Sequence, residues 1–240
     1  MKKFSGGQQL DFAVVGNYGA DISDFEEAEV SGKVALVQRG GEVTFMKKQE
    51  NESFSIDEKK LELYNEMAWQ ERVSKKQMEP DIDISSYLVN QGFEIIRADL
   101  PDSITGILLV DETNEEKPLK VIAIKKGKEK PQSRFIVAHE YAHAFLHKKG
   151  TLQFAHRDYE NLANNQQEQE AEAFARCFLM PKELIIPLCT KFKEDRDLVN
   201  KKTSKEDLIE FVRNNFDVTV KKANQRIREL KICEELHVPC

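Results

Sequence analysis

The chain has 240 residues, of which 40% are hydrophobic and 32% are charged, an ordinary composition for a globular protein with enough chain for one or two domains. Acidic residues outnumber Lys and Arg by 42 to 36 and give a formal net charge of −6, which argues against a general nucleic-acid binder, since such a protein depends on a basic surface. The sequence has no apolar run of roughly 18 residues and no apolar segment behind its charged start, so it predicts neither a membrane span nor a signal peptide.

The N-terminal segment contains a short apolar run at residues 34–37, which Gly40 and Gly41 follow, and this pattern predicts a buried strand that ends in a turn. With residues 18–21 (Tyr-Gly-Ala-Asp) and 24–25 (Asp-Phe), the run resembles part of a protease-associated domain, a non-catalytic module of secreted and membrane peptidases. The resemblance covers about 45 residues, too few to bury a core alone. It implies a truncated or fused remnant that packs on the neighbouring domain or stays loose.

A polar linker at residues 49–56 precedes a helical pattern that begins near Asp57, where neighbouring polar residues can cap a helix. Residues 82–89 predict a second, short helix. Apolar runs separated by turn residues then predict three strands, at residues 93–96, 104–110 and 119–124.

Residues 139–143 read His-Glu-Tyr-Ala-His and lie in an apolar-rich run that predicts a helix. Positions four apart on a helix share a face, so His139 and His143 can bind one ion. Glu140 lies on the flank of that face, where its carboxylate can reach a zinc-bound water as a general base. Without a third ligand, this match is as easily a chance pattern on an amphipathic helix as a zinc site.

A second helical pattern, at residues 168–181, offers the third ligand. Glu168 lies about 50° from the centre of its apolar stripe, whereas Glu170 and Glu172 lie about 90° to 110° away. A carboxylate directed into a core requires a compensating positive charge, which zinc supplies. We therefore predict Glu168 as the third zinc ligand. Glu170 is the alternative if the helix is offset or bent, and a solvated acidic face is the alternative for both.

The two patterns together resemble the ImmA/IrrE family of zinc metallopeptidases. The matching residues are Arg134, Phe135, Ala138, His139, Glu140, His143, Leu146 and His147 in the first motif and Glu168, Glu170, Ala171, Phe174, Ala175, Phe178, Leu179, Met180 and Pro181 in the second. Known members cleave or regulate a helix-turn-helix repressor, on mobile elements and prophages or in the response to DNA damage. The resemblance implies Zn²⁺ bound by His139, His143 and a Glu of the second motif, with Glu140 as the catalytic residue.

The chain departs from the family pattern at three positions. Tyr141 and Ala142 stand where the family commonly has Leu and Gly, and Glu172 stands where it usually has Asn or Asp. The small Ala142 is compatible with close helix packing, whereas Glu172 puts the hydrogen bonding of the second helix in question.

The resemblance implies an α+β zincin-like fold that is mainly helical. Its elements are a small twisted sheet, one edge of which could pair with an extended substrate peptide, the HExxH helix, the glutamate helix and a C-terminal helix pair. We expect four parts: a protease-associated fragment at residues 1–48, a linker at 49–56, a metallopeptidase domain at 57–195 and a C-terminal helical segment at 196–240.

Two amphipathic segments near the C-terminus, at residues 205–215 and 218–230, have the outline of a helix-turn-helix. Contact with DNA, contact with a repressor and simple closure of the core are the alternatives. The apolar stripe of Leu208, Phe211 and Val212 favours packing, and the acidic composition gives direct DNA binding little support.

Other polar residues near the motifs have weaker claims to a role. His147 shares a face with His143, but three ligands and a water fill a tetrahedral site, so we expect it to support the site or to pack. His156, which follows residues 153–155 in an expected loop between the two motif helices, is a candidate for orienting substrate or stabilising an oxyanion, with a surface position as the alternative. Tyr141 and Tyr159 are weaker candidates of the same kind, and His237 has no expected role.

The cysteines, Cys177, Cys189, Cys233 and Cys240, have no Cys-x-x-Cys spacing. This pattern, in a chain without an export signal, is typical of free thiols in a reducing compartment. We therefore expect a cytoplasmic protein, although protease-associated modules are usually extracellular.

The predicted function is that of a zinc-dependent endopeptidase of the gluzincin type that cleaves or inactivates a helix-turn-helix repressor. In it, zinc lowers the pKa of bound water to about 7 and Glu140 carries the proton to the leaving amine. The alternative is a non-catalytic, zinc-stabilised protein that sequesters a transcription regulator. A structural zinc site requires a fourth protein ligand, and the nearest candidate, Cys177, lies about 13 Å along the helix from Glu168.

Overall fold

The computed structural model describes residues 56–102, 104–112, 118–147 and 166–239, and the backbone of three strands outside these ranges. The chain divides into two compact units, Met1–Glu52 and Ser53–Cys240. In the first unit the backbones of β1 (Phe12–Val15) and β2 (Val34–Val37) pair in parallel, and β2 coincides with the predicted strand. The resemblance to a protease-associated domain otherwise falls on residues outside those described.

The second unit begins with two capped helices, α1 (Glu58–Ser74) and α2 (Ile84–Val89). The Asp57 carboxylate accepts a hydrogen bond from the Lys59 amide, and the Asp83 carboxylate accepts from the amides that follow it. Such caps satisfy amides that have no partner in the first helical turn. The first helix therefore begins where the polar residues of the sequence predict, whereas the second begins at Ile84, two residues after the predicted start.

A four-stranded mixed sheet follows, with the strand order β3-β5-β4-β6. Its strands are β3 (Glu94–Ala98), β4 (Ile104–Asp111), β5 (Leu119–Lys125) and β6 (Leu152–Arg157). β3 runs parallel to β5, and β4 is antiparallel to both β5 and β6. The sequence predicted three of these strands and placed the fourth in a loop between the two motifs. This last expectation was wrong, because β6 completes the hydrogen bonding of β4, a long-range pairing that residues 152–157 do not reveal by themselves.

The two motif helices, α3 (Lys130–Leu146) and α4 (Gln166–Leu179), lie at the centre of the unit. α3 packs on β4 and β5 and against α4, which also contacts α1. Ala138 and Ala142 of α3 and Ala171 and Ala175 of α4 are at most 1% exposed, and side chains this small let the helices approach closely. The predicted α+β fold, mainly helical with a small sheet, is confirmed.

Four helices close the chain. They are α5 (Lys182–Leu198), α6 (Lys205–Phe216), α7 (Val220–Glu229) and α8 (Ile232–Glu235). Leu208, Val212 and Phe216 of α6 are fully buried in the same core as α4. From α7, Arg226 donates a 2.9 Å hydrogen bond to the Met180 carbonyl. In this structure α6 and α7 therefore pack against the core, which is the alternative that the apolar stripe favours.

Cys177, Cys189 and Cys233 are buried free thiols. Burial, with a contribution from Cys233, raises the pKa of Cys189 to about 12, so this thiol is unreactive at neutral pH. Among the described residues, no helix is long and apolar enough to span a membrane.

We expect Phe178→Ala to lower the free energy of unfolding by about 3–5 kcal/mol, the usual cost of a large cavity. The Phe178 side chain is fully buried, and its ring lies 5.4 Å from that of Tyr87 and 5.6 Å from that of Tyr141. Urea denaturation measures the change. Leu198, which is 83% exposed, supplies the control: Leu198→Ala should alter stability by less than about 0.5 kcal/mol. Equal effects of the two changes would contradict the packing described.

Candidate metal centre

The polar motif of helix α3 lies in the interior of the second unit. Pro131 lies in its first turn, and residues 133–144 are buried throughout. His139 is 1% exposed, and Glu140 and His143 are 0% exposed. Because His139 and His143 are one turn apart, their rings turn to the same side, and their Nε2 atoms lie 3.1 Å apart.

Glu168, in the first turn of α4, meets both histidines. Its Oε2 atom lies 3.0 Å from His139 Nε2, and its Oε1 atom lies 3.3 Å from His143 Nε2. The Glu168 side chain is nearly buried as well. Among the described residues, His139, His143 and Glu168 form the group of His, Cys, Asp and Glu side chains whose arrangement could hold a metal ion.

The spacing of these atoms fits a metal ion. Ligands about 2.0–2.1 Å from a tetrahedral zinc ion are separated from one another by roughly 3.3–3.4 Å. The two Nε2 atoms lie 3.1 Å apart, and each lies 3.0 or 3.3 Å from a different oxygen of the Glu168 carboxylate. Two imidazole nitrogens and a carboxylate oxygen are also a donor set that catalytic zinc uses. These three residues could therefore hold such an ion without rearrangement of the helices.

Glu140 is buried beside this group. Neither of its carboxylate oxygens has a hydrogen-bond partner among the described residues. Burial raises the pKa of Glu140 well above its ordinary value, and the negative charge of Glu168 adds to the effect. A buried carboxylate without a partner is costly, and a cation held by the neighbouring residues would offset that cost.

Gly106 on β4 provides the space that Glu140 occupies. A Cβ atom at this position would lie 2.5 Å from Glu140 Oε1 and 2.6 Å from Ile136 Cγ2, and both distances are too short for van der Waals contact. The φ of Gly106 is not in the left-handed region, so the requirement for glycine is steric.

Glu172 lies on the other side of His139, at the position where the sequence departs from the family pattern. Its Oε2 atom is 3.8 Å from His139 Nδ1. Its Oε1 atom accepts hydrogen bonds from Lys222 of α7 and, at 3.0 Å, from Arg176. Burial alone would raise the pKa of Glu172, but the charges of Lys222 and Arg176 outweigh it and lower the pKa to about 2. Glu172 is thus a fixed negative charge beside His139.

Glu170, the alternative third ligand, lies away from the three converging atoms. Its Oε1 atom accepts hydrogen bonds from Lys60 at 3.0 Å and from Gln166 at 2.7 Å, and its Oε2 atom lies 3.2 Å from His147 Nε2. Partial burial raises the pKa of Glu170, but the hydrogen bonds from Gln166, Lys60 and His147 outweigh it and lower the pKa overall.

Tyr141 and His237, two other residues that the sequence singled out, are not part of the group of three. The Tyr141 hydroxyl donates a 2.9 Å hydrogen bond to Glu71 of α1, and its ring packs against Phe178, which makes Tyr141 a packing residue. His237 is exposed beyond α8. Tyr159 and the side chain of His156 lie outside the described residues, although the β6 backbone pairs His156 with Gly106.

Sequence reasoning missed the role of Gly106 and the ion pairs of Glu172. An isolated glycine within an apolar strand pattern is a recognised sign of close approach by another group, and Gly106 interrupts the run at residues 104–110. The ion pair between Glu172 and Lys222 joins residues 50 positions apart, for which the sequence holds no comparable sign.

Comparison with known families gives one match. The model of the peptidase family described as the IrrE N-terminal-like domain matches residues 90–228. This range extends from the start of the sheet to α7 and includes both motif helices. A comparison with curated proteins finds no match to the chain.

Substitution of the two candidate glutamates should distinguish them. We expect Glu168→Ala to lose the zinc binding of the wild type, because it removes one of three converging donors, whereas Glu170→Ala should still take up one zinc ion per chain at saturation. Titration with Zn²⁺, monitored by elemental analysis and by circular dichroism for folding, tests both. Retained binding in Glu168→Ala with loss in Glu170→Ala would assign the ligand to Glu170.

A double-mutant cycle should reveal the steric link between Gly106 and Glu140. Gly106→Ala is expected to lower the free energy of unfolding by about 1–3 kcal/mol in the wild type, as overpacking does. In the Glu140→Ala background the carboxylate is gone, so the loss should be smaller by about 0.5–3 kcal/mol. Urea denaturation of the four proteins measures the coupling, and strictly additive effects would contradict the contact.

Proposed function

Because the chain belongs to the metallopeptidase family of the IrrE N-terminal-like domain, we propose that it is a zinc-dependent endopeptidase that cleaves or inactivates a helix-turn-helix transcriptional repressor. The observation that carries the proposal is the convergence of three buried donor atoms, from His139, His143 and Glu168, beside the buried carboxylate of Glu140. Two ligand histidines that enclose a glutamate on one helix, with a third ligand from elsewhere, are the arrangement that zinc peptidases use.

Zinc bound by His139, His143 and Glu168 would supply a Lewis acid that polarises the scissile carbonyl and makes a water molecule acidic enough to attack it. Among the described residues, no fourth His, Cys, Asp or Glu joins the three. Cys177, the fourth ligand that a structural zinc site would need, is not part of the group. A three-donor site leaves a position for water and favours catalysis over the alternative of a purely structural zinc protein.

Glu140 is the proton carrier in this proposal. Its carboxylate takes a proton from the attacking water as the oxygen adds to the carbonyl carbon, and it delivers that proton to the amide nitrogen as the C–N bond breaks. The absence of hydrogen-bond partners among the described residues leaves both oxygens available for the transfer. The absence of a side chain at Gly106 leaves room for this carboxylate.

The repressor as substrate is the part of the proposal that rests on the resemblance to the ImmA/IrrE family. In the C-terminal helices, Arg226 is fully buried and Lys222 is paired with Glu172, so these two cations are not available to a nucleic acid. A repressor substrate would place the enzyme in the cytoplasm, where the buried free thiols at residues 177, 189 and 233 are compatible with the reducing conditions.

We expect Glu140→Gln to retain zinc and lose peptide cleavage by about 10²–10⁴-fold, the usual contribution of a positioned acid–base group. The change keeps the size of the side chain and removes its ability to accept the proton. Comparison of protein N-termini in cells that produce the wild type with those in cells that produce Glu140→Gln would identify cleavage sites. New termini should map to proteins with a helix-turn-helix segment.

Glu210→Gln, the same chemical change at an exposed residue of α6 that pairs with Arg213, should cleave like the wild type. New termini that persist in Glu140→Gln would refute the catalytic assignment. A third outcome is that the termini depend on Glu140 but occur only in proteins without a helix-turn-helix. That result would support the peptidase activity and refute the repressor as its substrate.

A further inference from the structure

His143 has a neighbour behind its ring, on the side away from the converging Nε2 atoms. His147 follows one helical turn later, and its Nδ1 atom lies 3.2 Å from His143 Nδ1. The two ring centroids are 5.2 Å apart. His147 in turn lies 3.2 Å from Glu170 through its Nε2 atom. His143, His147 and Glu170 therefore form a continuous chain of contacts that joins α3 to α4.

The tautomers in this chain are fixed if His143 binds a metal through Nε2. The His143 proton must then sit on Nδ1, which becomes a hydrogen-bond donor. The facing Nδ1 atom of His147 must accept, so the proton of neutral His147 sits on Nε2. From there it donates to a Glu170 oxygen, an acceptor when the carboxylate is ionised. Each hydrogen-bond donor in this chain of contacts thus meets an acceptor.

Glu170 is held in place for this contact from two elements. Lys60 of α1 and Gln166 of α4 both donate to its Oε1 atom, which leaves Oε2 directed at His147. The side chains of His147 and Glu170 are only 9% and 16% exposed, so water screens their interaction less than it would at the surface.

We propose that His147 and Glu170 are positioning residues for His143, which hold its ring and its tautomer so that Nε2 is available to the metal. This inference rests on the proposed zinc site and goes beyond it, because neither residue is a ligand. It gives Glu170 a role that differs from that of Glu168, although the two lie two residues apart on one helix. It also assigns Lys60, on α1, an indirect part in the geometry of the site.

The test is the affinity for Zn²⁺, measured by competition with a chelator, in the wild type, His147→Phe and Glu170→Ala. Loss of a group that orients a metal-binding histidine typically lowers metal affinity by about 10–100-fold, and we expect that range in both variants. His147→Asn should keep most of the affinity, because an amide oxygen close to the position of Nδ1 can still accept from His143. Lys182→Met, which removes the ion pair between Lys182 of α5 and Glu62 of α1, should bind zinc like the wild type.

A second readout separates positioning from general destabilisation. In the zinc-loaded wild type, the Nδ1 proton of His143 should give a protected resonance in the nuclear magnetic resonance spectrum, which should persist in His147→Asn and disappear in His147→Phe. Circular dichroism would establish that each variant is folded.

Wild-type affinity in folded His147→Phe and Glu170→Ala would overturn the inference and leave the zinc site intact. Equal losses of affinity in His147→Asn and His147→Phe would overturn it too, because the acceptor would then not matter. A wild type that binds no zinc would instead refute the proposed function, and this inference with it.

Discussion

The structure depends on a group of ionisable side chains that the fold encloses almost completely. Two imidazoles and the carboxylates of Glu140 and Glu168 lie together where exposure is 6% or less. An isolated charge in such a place costs several kcal/mol or more unless an opposite charge compensates it. Glu140 has no hydrogen-bond partner among the described residues, and burial raises its pKa well above the ordinary value. A divalent cation at the converging donor atoms would compensate the charges of both carboxylates.

Elements from both ends of the second unit hold the site. Lys60 of α1 fixes Glu170 on one side, and Lys222 of α7 fixes Glu172 on the other. Both cations therefore reach α4, the helix that carries Glu168. The C-terminal helices are then part of the frame of the site, and a change in how α7 packs would alter the charge beside His139. Coupling of this kind requires only packed helices with fixed ion pairs.

Features of the fold and site that depend on residues close together in sequence could be predicted, whereas features that depend on distant residues could not. The positions of His139, Glu140, His143 and Glu168 follow from helical periodicity within two short segments, and the structure brings the three predicted ligands together. The pairing of β6 with β4 and the contact of Lys222 with Glu172 depend on tertiary packing, which local patterns do not encode. Gly106 lies between these cases, because a glycine within a strand pattern indicates a close approach but does not identify the approaching group.

The two histidines of the proposed zinc site, His139 and His143, are supported to different degrees. Glu172 Oε2 is 3.8 Å from His139 Nδ1, beyond the range of a hydrogen bond, because Lys222 and Arg176 hold the other oxygen of this carboxylate. Its effect on His139 is therefore chiefly that of a nearby charge, which stabilises a positive ring or ion but does not specify the tautomer. The 3.2 Å contact of His143 with His147 is short enough to do so. An Asn or Asp, the residues that the family usually has in place of Glu172, has a shorter side chain and would meet His139 differently. In the proposed zinc site, one histidine is thus oriented by hydrogen bonding and the other chiefly by charge.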